Sequence, residues 1–102
     1  MTTKRQPPKE RRDGNERYII DALEAAGCFV RQMRVGAGFD LLVIYQGVTH
    51  IMEVKQPGGK LTPNEKLTQS KVIIAGGSYH IVNTIDDALE IIRERGEYDY
   101  NC

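Results

Sequence analysis

Apolar residues recur along the chain in two distinct periods, which predict three helices and four strands. The segment from Asn15 to Ala26 carries apolar residues at every third or fourth position, and Gly27 after it is a typical helix terminator. Two more segments show helical spacing, and four shorter ones are rich in the β-branched and aromatic residues that strands favour. The helices are predicted at 15–26, 63–75 and 85–94, and the strands at 28–35, 40–45, 48–55 and 79–82.

The order of these elements, αβββαβα, predicts an α/β protein in which a central sheet is flanked by helices. A helix lies between the third and fourth strands, so those two are expected to run parallel in an otherwise antiparallel sheet. The Pro/Gly run at 57–59 ends the third strand. Thr62, Pro63 and Glu65 then form a helix start of the capping-box type. The predicted sheet is therefore mixed.

The second and third strands are predicted to form a hairpin with a tight turn at residues 46–47. If those two residues alone form the loop, Asp40 lies directly opposite Glu53, with Cβ atoms about 4.5–5.5 Å apart. Lys55 follows Glu53 by two residues, so strand alternation places both on the same face. The hairpin thus brings two carboxylates and one ammonium group together.

Two carboxylates that face each other across a sheet repel, and a divalent cation held between them removes the repulsion. Beside a lysine, such an ion completes a water-activating centre suited to phosphodiester hydrolysis. The plainer alternative is a solvated strand end with one cross-strand ion pair. Against it, both faces of the hairpin are apolar, which favours a central hairpin buried on both sides. One face carries Leu42, Ile44 and Ile51, and the other carries Leu41, Val43, Met52 and Val54.

The succession of Asp40, a hairpin, and then Glu53 and Lys55 resembles the core of the PD-(D/E)XK nucleases. The segment 56–63 is similar, more narrowly, to the VRR-NUC (virus-type replication-repair nuclease) branch and to its stand-alone phage and bacterial members. The resemblance spans residues 12–95. Phe39 stands where this family usually has proline, but that position shapes the backbone and supplies no ligand.

The resemblance implies a restriction-endonuclease-like fold and a DNA endonuclease that depends on Mg²⁺ or Mn²⁺. It also implies that the metal is bound by the side chains of Asp40 and Glu53 and by the backbone carbonyl of Val54. Lys55 would orient or deprotonate the attacking water. Glu16, in the first turn of the first helix, matches an additional catalytic glutamate of resolvase-like members. A glutamate at a helix start is also favoured by the helix macrodipole alone, so both roles stay open.

The auxiliary site residue on the second helix also stays open. Family members tend to carry glutamine two residues after the proline at the helix start, followed by an aromatic residue. This chain has Glu65 and Thr68 there, with Gln69 one turn beyond Glu65. Positions 65 and 69 lie on one helix face, so either residue could position water or phosphate.

The resemblance further implies a homodimer whose two sites cut a symmetric branched DNA such as a four-way (Holliday) junction. Flaps, nicks and plain duplex are alternative substrates within the same class of enzyme. In two further alternatives the protein does not catalyse a reaction. One is a DNA-binding module on the same fold, and the other is an assembly protein whose carboxylates form an ion-pair network with Lys55 and Arg34.

Charge is distributed unevenly along the chain, although the net charge over 102 residues is zero. Residues 1–12 form a basic arm that is expected to be flexible, 13–95 the nuclease domain, and 96–102 a polar tail. The two cysteines show no disulfide or zinc spacing, which favours a reducing cytoplasm. The resemblance implies that this is the cytoplasm of a bacterial or phage-infected host cell. No apolar run is long enough for a membrane span, and nothing calls for a small-molecule organic cofactor. The candidate DNA-binding residues are Arg11, Arg12, Arg17, Arg34, Lys60 and Lys66.

Overall fold

The computed structural model describes residues 14–101 of the chain, with the side chains of residues 15–94. Seven elements follow one another in the predicted order αβββαβα. The helices are α1 (Gly14–Ala25), α2 (Pro63–Ile74) and α3 (Ile85–Asn101), and the strands are β1 (Phe29–Gln32), β2 (Leu41–Tyr45), β3 (Val48–Val54) and β4 (Tyr79–Val82). β1 is shorter than the segment 28–35 predicted for it, and α3 continues into the segment predicted as a polar tail. The basic arm 1–12 lies outside the described residues.

The strands form one four-stranded sheet in the order β1-β2-β3-β4. The first two pairs are antiparallel, and β3 and β4 are parallel. β4 is reached through α2, which supplies the long connection that a parallel neighbour requires. The prediction of an α/β fold with a mixed sheet flanked by helices is confirmed.

The turn between β2 and β3 fixes the register of the hairpin. Both residues of the 46–47 turn have positive φ, 49° and 83°, as a type I′ turn requires. The pairing that results is the predicted one, with Leu41 opposite Met52. Because a slip of one residue would move every side chain to the other face, this turn decides which side of the sheet Glu53 faces.

The hydrophobic core lies on one face of the sheet, which is covered by α1 and α3. Ile19 and Leu23 of α1 are fully buried there, together with Ala88 and Ile92 of α3. Cys28 belongs to the same cluster. Fully burying one large aliphatic side chain stabilises a fold by about 1.5–3 kcal/mol. The sheet contributes Leu41, Val43, Met52, Val54 and Val82.

The opposite face of the sheet is covered only in part, by α2. Leu42, Ile44 and Ile51 on this face are half-buried, and no residue of α2 is fully buried. The prediction that the hairpin is buried on both sides is therefore wrong for this face. The cause is that α2 turns polar side chains to this side of the molecule, where Glu65 contacts Lys55 just after β3 and Thr68 packs on Gly38 in the loop before β2. Among the described residues, no helix is long and apolar enough to cross a membrane.

Candidate active site at the open end of the hairpin

Asp40 lies one residue before β2, at the point where the hairpin ladder ends. The last ladder pair is Leu41 with Met52, and the backbone N–H of Asp40 donates to the Met52 carbonyl at 3.2 Å. The Oδ2 atom of Asp40 accepts a hydrogen bond from the backbone N–H of Val54 at 2.9 Å. The carboxylate therefore takes the place of the partner that the Val54 N–H would otherwise lack on the β2 side, while β4 pairs with Val54 on the other side. This is a local departure from the direct Asp40–Glu53 pair that an unbroken register predicts.

The loop that leads into Asp40 is held from two sides. The Tyr79 hydroxyl donates to the Gly38 carbonyl at 2.7 Å, in a buried contact. Gly38 has a φ of 90° and packs so closely on Thr68 of α2 that any side chain at position 38 would overlap the threonine. Burial, followed by the negative charges of Glu53 and its neighbours, raises the pKa of Tyr79, so its hydroxyl stays protonated as a donor.

Glu53 projects from β3 into the space between the sheet and α2, and only 2% of its surface is exposed. Its Oε1 atom has no hydrogen-bond partner, and its Oε2 atom lies 3.5 Å from Nζ of Lys55. Burial, the charge of Asp40 and the nearby Glu65 together raise the pKa of Glu53 to about 9, although Lys55 opposes the shift. Without a further positive charge, the Glu53 carboxyl is therefore protonated at neutral pH.

Lys55 is held by a carboxylate from each side of the site. Its Nζ atom lies 3.0 Å from Oε1 of Glu65 and slightly farther from Glu53. Burial alone would lower the pKa of Lys55, but the hydrogen bonds and charges of Glu65 and Glu53 outweigh burial and raise it. The side chain of Lys55 is therefore a permanent cation in this arrangement.

Glu65 is placed by the start of α2. Its side chain accepts from the backbone N–H of Thr62 at 2.9 Å, and its own N–H donates to the Thr62 hydroxyl at 3.2 Å, which completes the predicted capping box. Burial would raise the pKa of Glu65, but the bonds from Thr62 and Lys55 outweigh it and lower the pKa. Of the two candidates on α2, Glu65 is the one whose carboxylate contacts Lys55, while Gln69 is half-buried one turn further along.

The backbone of Lys55 is fixed by Asn83, a residue that the sequence reasoning missed. The Asn83 side chain donates to the Lys55 carbonyl at 2.8 Å, and the Lys55 N–H donates to the Val82 carbonyl at 3.0 Å. Asn15 of α1 in turn donates to the Asn83 carbonyl at 2.8 Å. The only signal in the sequence was an asparagine directly after a strand that was expected to be the parallel neighbour of β3.

Glu16 reaches the sheet from the side of α1 and is almost fully buried, with 3% of its surface exposed. Gln32, at the end of β1, donates to its Oε2 atom at 3.1 Å. Glu16 is not among the residues whose charges shift the pKa of Glu53, which are Asp40, Glu65 and Lys55. Burial shows that Glu16 is more than a surface residue favoured by the helix macrodipole, and its catalytic role stays a prediction.

Comparison with solved structures connects this geometry to a known fold. A structure described as a "VRR_NUC domain" superposes with a TM-score of 0.65 and 26% sequence identity, covering 76% of this chain and 89% of that one. The chain has the VRR-NUC fold. No family model matches the sequence, and no curated protein is similar to it. The fold expected from the resemblance of Asp40, Glu53 and Lys55 is thereby confirmed by the structure as a whole.

The donor set of this site suits a hard divalent cation. Asp40 and Glu53 offer carboxylate oxygens, and Oε1 of buried Glu53 has no other partner. Burial and the Asp40 carboxylate raise the pKa of Glu53 although Lys55 is close by, so a further cation between the two carboxylates would offset their repulsion. Within the described part of the chain, no cluster of three or more histidine, cysteine, aspartate or glutamate side chains is arranged around a metal position. Two carboxylates with a backbone carbonyl and water are an ordinary Mg²⁺ donor set, so the residues present fit the ion.

The predicted DNA-binding side chains that fall within the described residues are all exposed. Arg17 forms a loose ion pair with Asp21 at 3.8 Å, one turn along α1. Arg34 follows β1, while Lys60 and Lys66 lie just before and within the start of α2. Their exposure is compatible with contact to DNA, and their role in DNA binding stays a prediction. The remaining two predicted residues, Arg11 and Arg12, lie outside the described residues.

Proposed function

We propose that this VRR-NUC chain is an endonuclease that hydrolyses phosphodiester bonds of DNA with the help of Mg²⁺ or Mn²⁺. The observation that carries the proposal is the state of Glu53. The negative charge of Asp40 acts on its buried carboxyl, and Lys55 lies next to it. The Oε1 atom of Glu53 has no hydrogen-bond partner. A residue placed there only for stability would leave a polar atom unsatisfied at a cost of about 1–3 kcal/mol. A cation-binding role explains why this cost is tolerated.

In this proposal the side chains of Asp40 and Glu53 and the carbonyl of Val54 hold the cation. When bound, the ion would supply Lewis acidity, which favours ionisation of a water molecule and offsets negative charge on the phosphate. Glu53 must release its proton for this, so occupancy of the site should rise with pH. The bond from the Val54 N–H holds Asp40 in place before the ion arrives.

Lys55 is suited to orienting the attacking water and to stabilising negative charge on the phosphate. Its raised pKa keeps three N–H donors available, and the contact with Glu65 holds the ammonium group in the site. It can therefore donate to the attacking water or to a phosphate oxygen that gains charge in the transition state. Proton abstraction by Lys55 would require a lowered pKa, which this environment opposes. Of the two roles expected for Lys55, the structure favours orienting the water.

The preferred substrate in this proposal is branched DNA, such as a four-way junction, cut by a homodimer. Support comes from the likeness to the VRR-NUC fold and from the size of the domain, which has one candidate catalytic centre among its described residues. A twofold dimer would present two such centres to a twofold junction, so that paired cuts follow from symmetry. Flaps, nicks and plain duplex are the alternative substrates.

Cleavage of a panel of labelled DNAs tests the function directly. The panel contains four-way junctions, flaps, nicked duplex and plain duplex, each with Mg²⁺, Mn²⁺ or EDTA. The full chain should cut at least one substrate with a metal and none with EDTA, while Asp40→Asn and Glu53→Gln should cut none. Asp21→Asn, which alters an exposed aspartate on α1, is the matched control and should cut like the parent. No cleavage by the parent, or undiminished cleavage by Asp40→Asn, would contradict the proposal, and sedimentation analysis would test the dimer.

A further inference from the structure

Val35 is the most exposed large hydrophobic residue in the described part of the chain, with 87% of its surface accessible. It lies in the turn between β1 and β2, where the N–H of Ala37 donates to the Arg34 carbonyl at 3.1 Å. Gly36 has a φ of 96°, which a tight turn needs at this position and which only glycine adopts easily. The turn therefore directs a stiff, β-branched side chain into solvent.

The turn that carries Val35 is held in place by α2 and by the loop before Asp40. The side chain of Asn64 donates to the Gly36 carbonyl at 3.1 Å. Two residues later, Gly38 receives the buried hydrogen bond from Tyr79 and packs against α2. Single exposed apolar residues are common on protein surfaces and need no explanation. One that is fixed on a braced turn is different, because the fold uses specific contacts to keep it in one place.

The braced turn lies at the rim of the candidate active site. Asn64, which holds Gly36, directly precedes Glu65, whose carboxylate contacts Lys55 at 3.0 Å. Five residues after Val35 the chain reaches Asp40. A molecule whose phosphate lies between Asp40 and Lys55 would therefore meet Val35 at its edge.

The charge around Val35 favours a nucleic acid over a protein as the molecule it meets. Arg34 is its exposed neighbour in the chain, and the exposed Lys60 and Lys66 flank the start of α2. The other turn residues are the cationic Arg34 and the small Gly36 and Ala37, so Val35 is the one large apolar side chain of this turn and not part of an extended apolar stretch within it. Cationic side chains can contact phosphates, and a neighbouring apolar side chain can insert between stacked bases. Phosphates and stacked bases lie side by side in nucleic acids and not in proteins.

We propose that Val35 enters the base stack of DNA beside the scissile phosphate and so makes the enzyme select sites where stacking is already interrupted. This inference rests on the proposed nuclease function and specifies its substrate. Separating the bases of a continuous duplex costs free energy, whereas a nick or a junction centre has lost part of its stacking beforehand. The side chain gains contact with base faces in both cases, so the difference in cost becomes a preference for interrupted DNA.

Fluorescence of 2-aminopurine tests the wedge without cleavage. Asp40→Asn, which should bind DNA without cutting it, is titrated with two duplexes that differ only in a nick beside a single 2-aminopurine. Binding should raise the fluorescence of the nicked duplex, because the base loses its neighbour. Adding Val35→Ser should remove this rise and lower the preference for nicked over intact duplex by roughly tenfold, because the cost of unstacking a continuous base step then no longer separates the two duplexes. Val35→Ile, which keeps a β-branched apolar tip, should retain both effects.

Ile74 provides the matched control, because it is also β-branched and 85% exposed, but it ends α2. The length of the helix puts it about 15 Å from Asn64, which holds the turn. Ile74→Ser should behave like its parent in both measurements. An unchanged fluorescence rise and preference in Val35→Ser would overturn the wedge and leave the nuclease proposal standing. If the unsubstituted chain neither binds nor cuts any DNA in the panel, the proposed function falls and the wedge falls with it.

Discussion

Nζ of Lys55 lies 3.0 Å from Oε1 of Glu65, and this ion pair joins the end of β3 to the first turn of α2. The same carboxylate caps α2 by accepting from the Thr62 N–H. The helix start is therefore also part of the site. Because Glu65 is ionised and Glu53 is protonated in the metal-free chain, Lys55 pairs mainly with Glu65 and leaves the Glu53 carboxyl to change its charge state.

Replacement of this lysine should separate catalysis from binding. We expect Lys55→Ala to lower kcat by about 10²–10³-fold, since it removes a donor that acts on charge developing in the transition state. KM for DNA and the affinity for Mn²⁺ should change little. Steady-state cleavage with a metal titration checks this, and Lys71→Ala removes an exposed lysine of α2 as the control. A Lys55→Ala variant that cuts at the parent rate would reduce Lys55 to a structural ion-pair partner.

The pKa of Glu53 predicts how stability depends on pH. A carboxyl whose pKa rises from 4.5 to about 9 on folding holds its proton more tightly in the folded chain. Its contribution to stability is complete below the unfolded pKa and is lost as the pH rises towards the folded pKa. In EDTA, the free energy of unfolding of the parent should therefore fall between pH 5 and pH 8 relative to Glu53→Gln, which cannot ionise.

The size of this effect should be about 1–3 kcal/mol in favour of Glu53→Gln at pH 8, with a smaller difference at pH 5. Urea unfolding at a series of pH values measures it. Glu90→Gln, at an exposed position of α3, is the control and should follow the parent. Parallel stability curves for the parent and Glu53→Gln would show that Glu53 has no raised pKa.

The hydrogen bond from Asn83 to the Lys55 carbonyl should matter for activity beyond its effect on stability. Asn83→Ala removes the hydrogen bond to Lys55, and Asn15→Ala removes the hydrogen bond to Asn83. Each change should lower the free energy of unfolding by about 0.5–1.5 kcal/mol. Only Asn83→Ala removes a hydrogen bond from the backbone of Lys55, at its carbonyl, so only this variant should lower kcat by about tenfold or more. Equal kcat in both variants, measured well below their melting temperatures, would leave Asn83 as a structural residue.

The hairpin could be predicted in detail because short-range chemistry decides it. A two-residue turn at 46–47 sets the register, and the register sets the face of Glu53 and Lys55. The start of α2 was predictable for the same reason, since Thr62 and Glu65 satisfy each other within one turn. In both cases the deciding contacts join residues that are close in the sequence.

Contacts between distant segments could not be predicted in this way. Asn83 reaches Lys55 across 28 positions, and Tyr79 reaches Gly38 across 41. The choice of Glu65 over Gln69 depends on how α2 packs against the sheet, since both residues lie on one helix face. The apolar residues of the sheet face under α2 predicted burial, but the polar inner side of the helix leaves that face half open.

The basic arm should contribute to DNA affinity through phosphate contacts. Deleting residues 1–11 removes Lys4, Arg5, Lys9 and Arg11, and each lost contact should flatten the plot of log affinity against log salt by about 0.9 for duplex DNA. A chain with a Gly/Ser segment of equal length in place of 1–11 controls for length. An unchanged slope would make the arm a solubilising segment and assign the contacts to side chains such as Arg34 and Lys66.

Calorimetric titration of Mn²⁺ into the DNA-free chain tests the central claim most directly, because it asks whether Asp40 and Glu53 bind a cation at all. The parent should bind near pH 7 and release about one proton per ion, seen as a dependence of the heat on the buffer, since Glu53 must ionise. Asp21→Asn should bind and release protons in the same way, whereas Asp40→Asn should bind at least tenfold more weakly. Equal affinity in Asp40→Asn and the parent, or no binding by the parent, would contradict the assignment of this site as a metal-dependent catalytic centre.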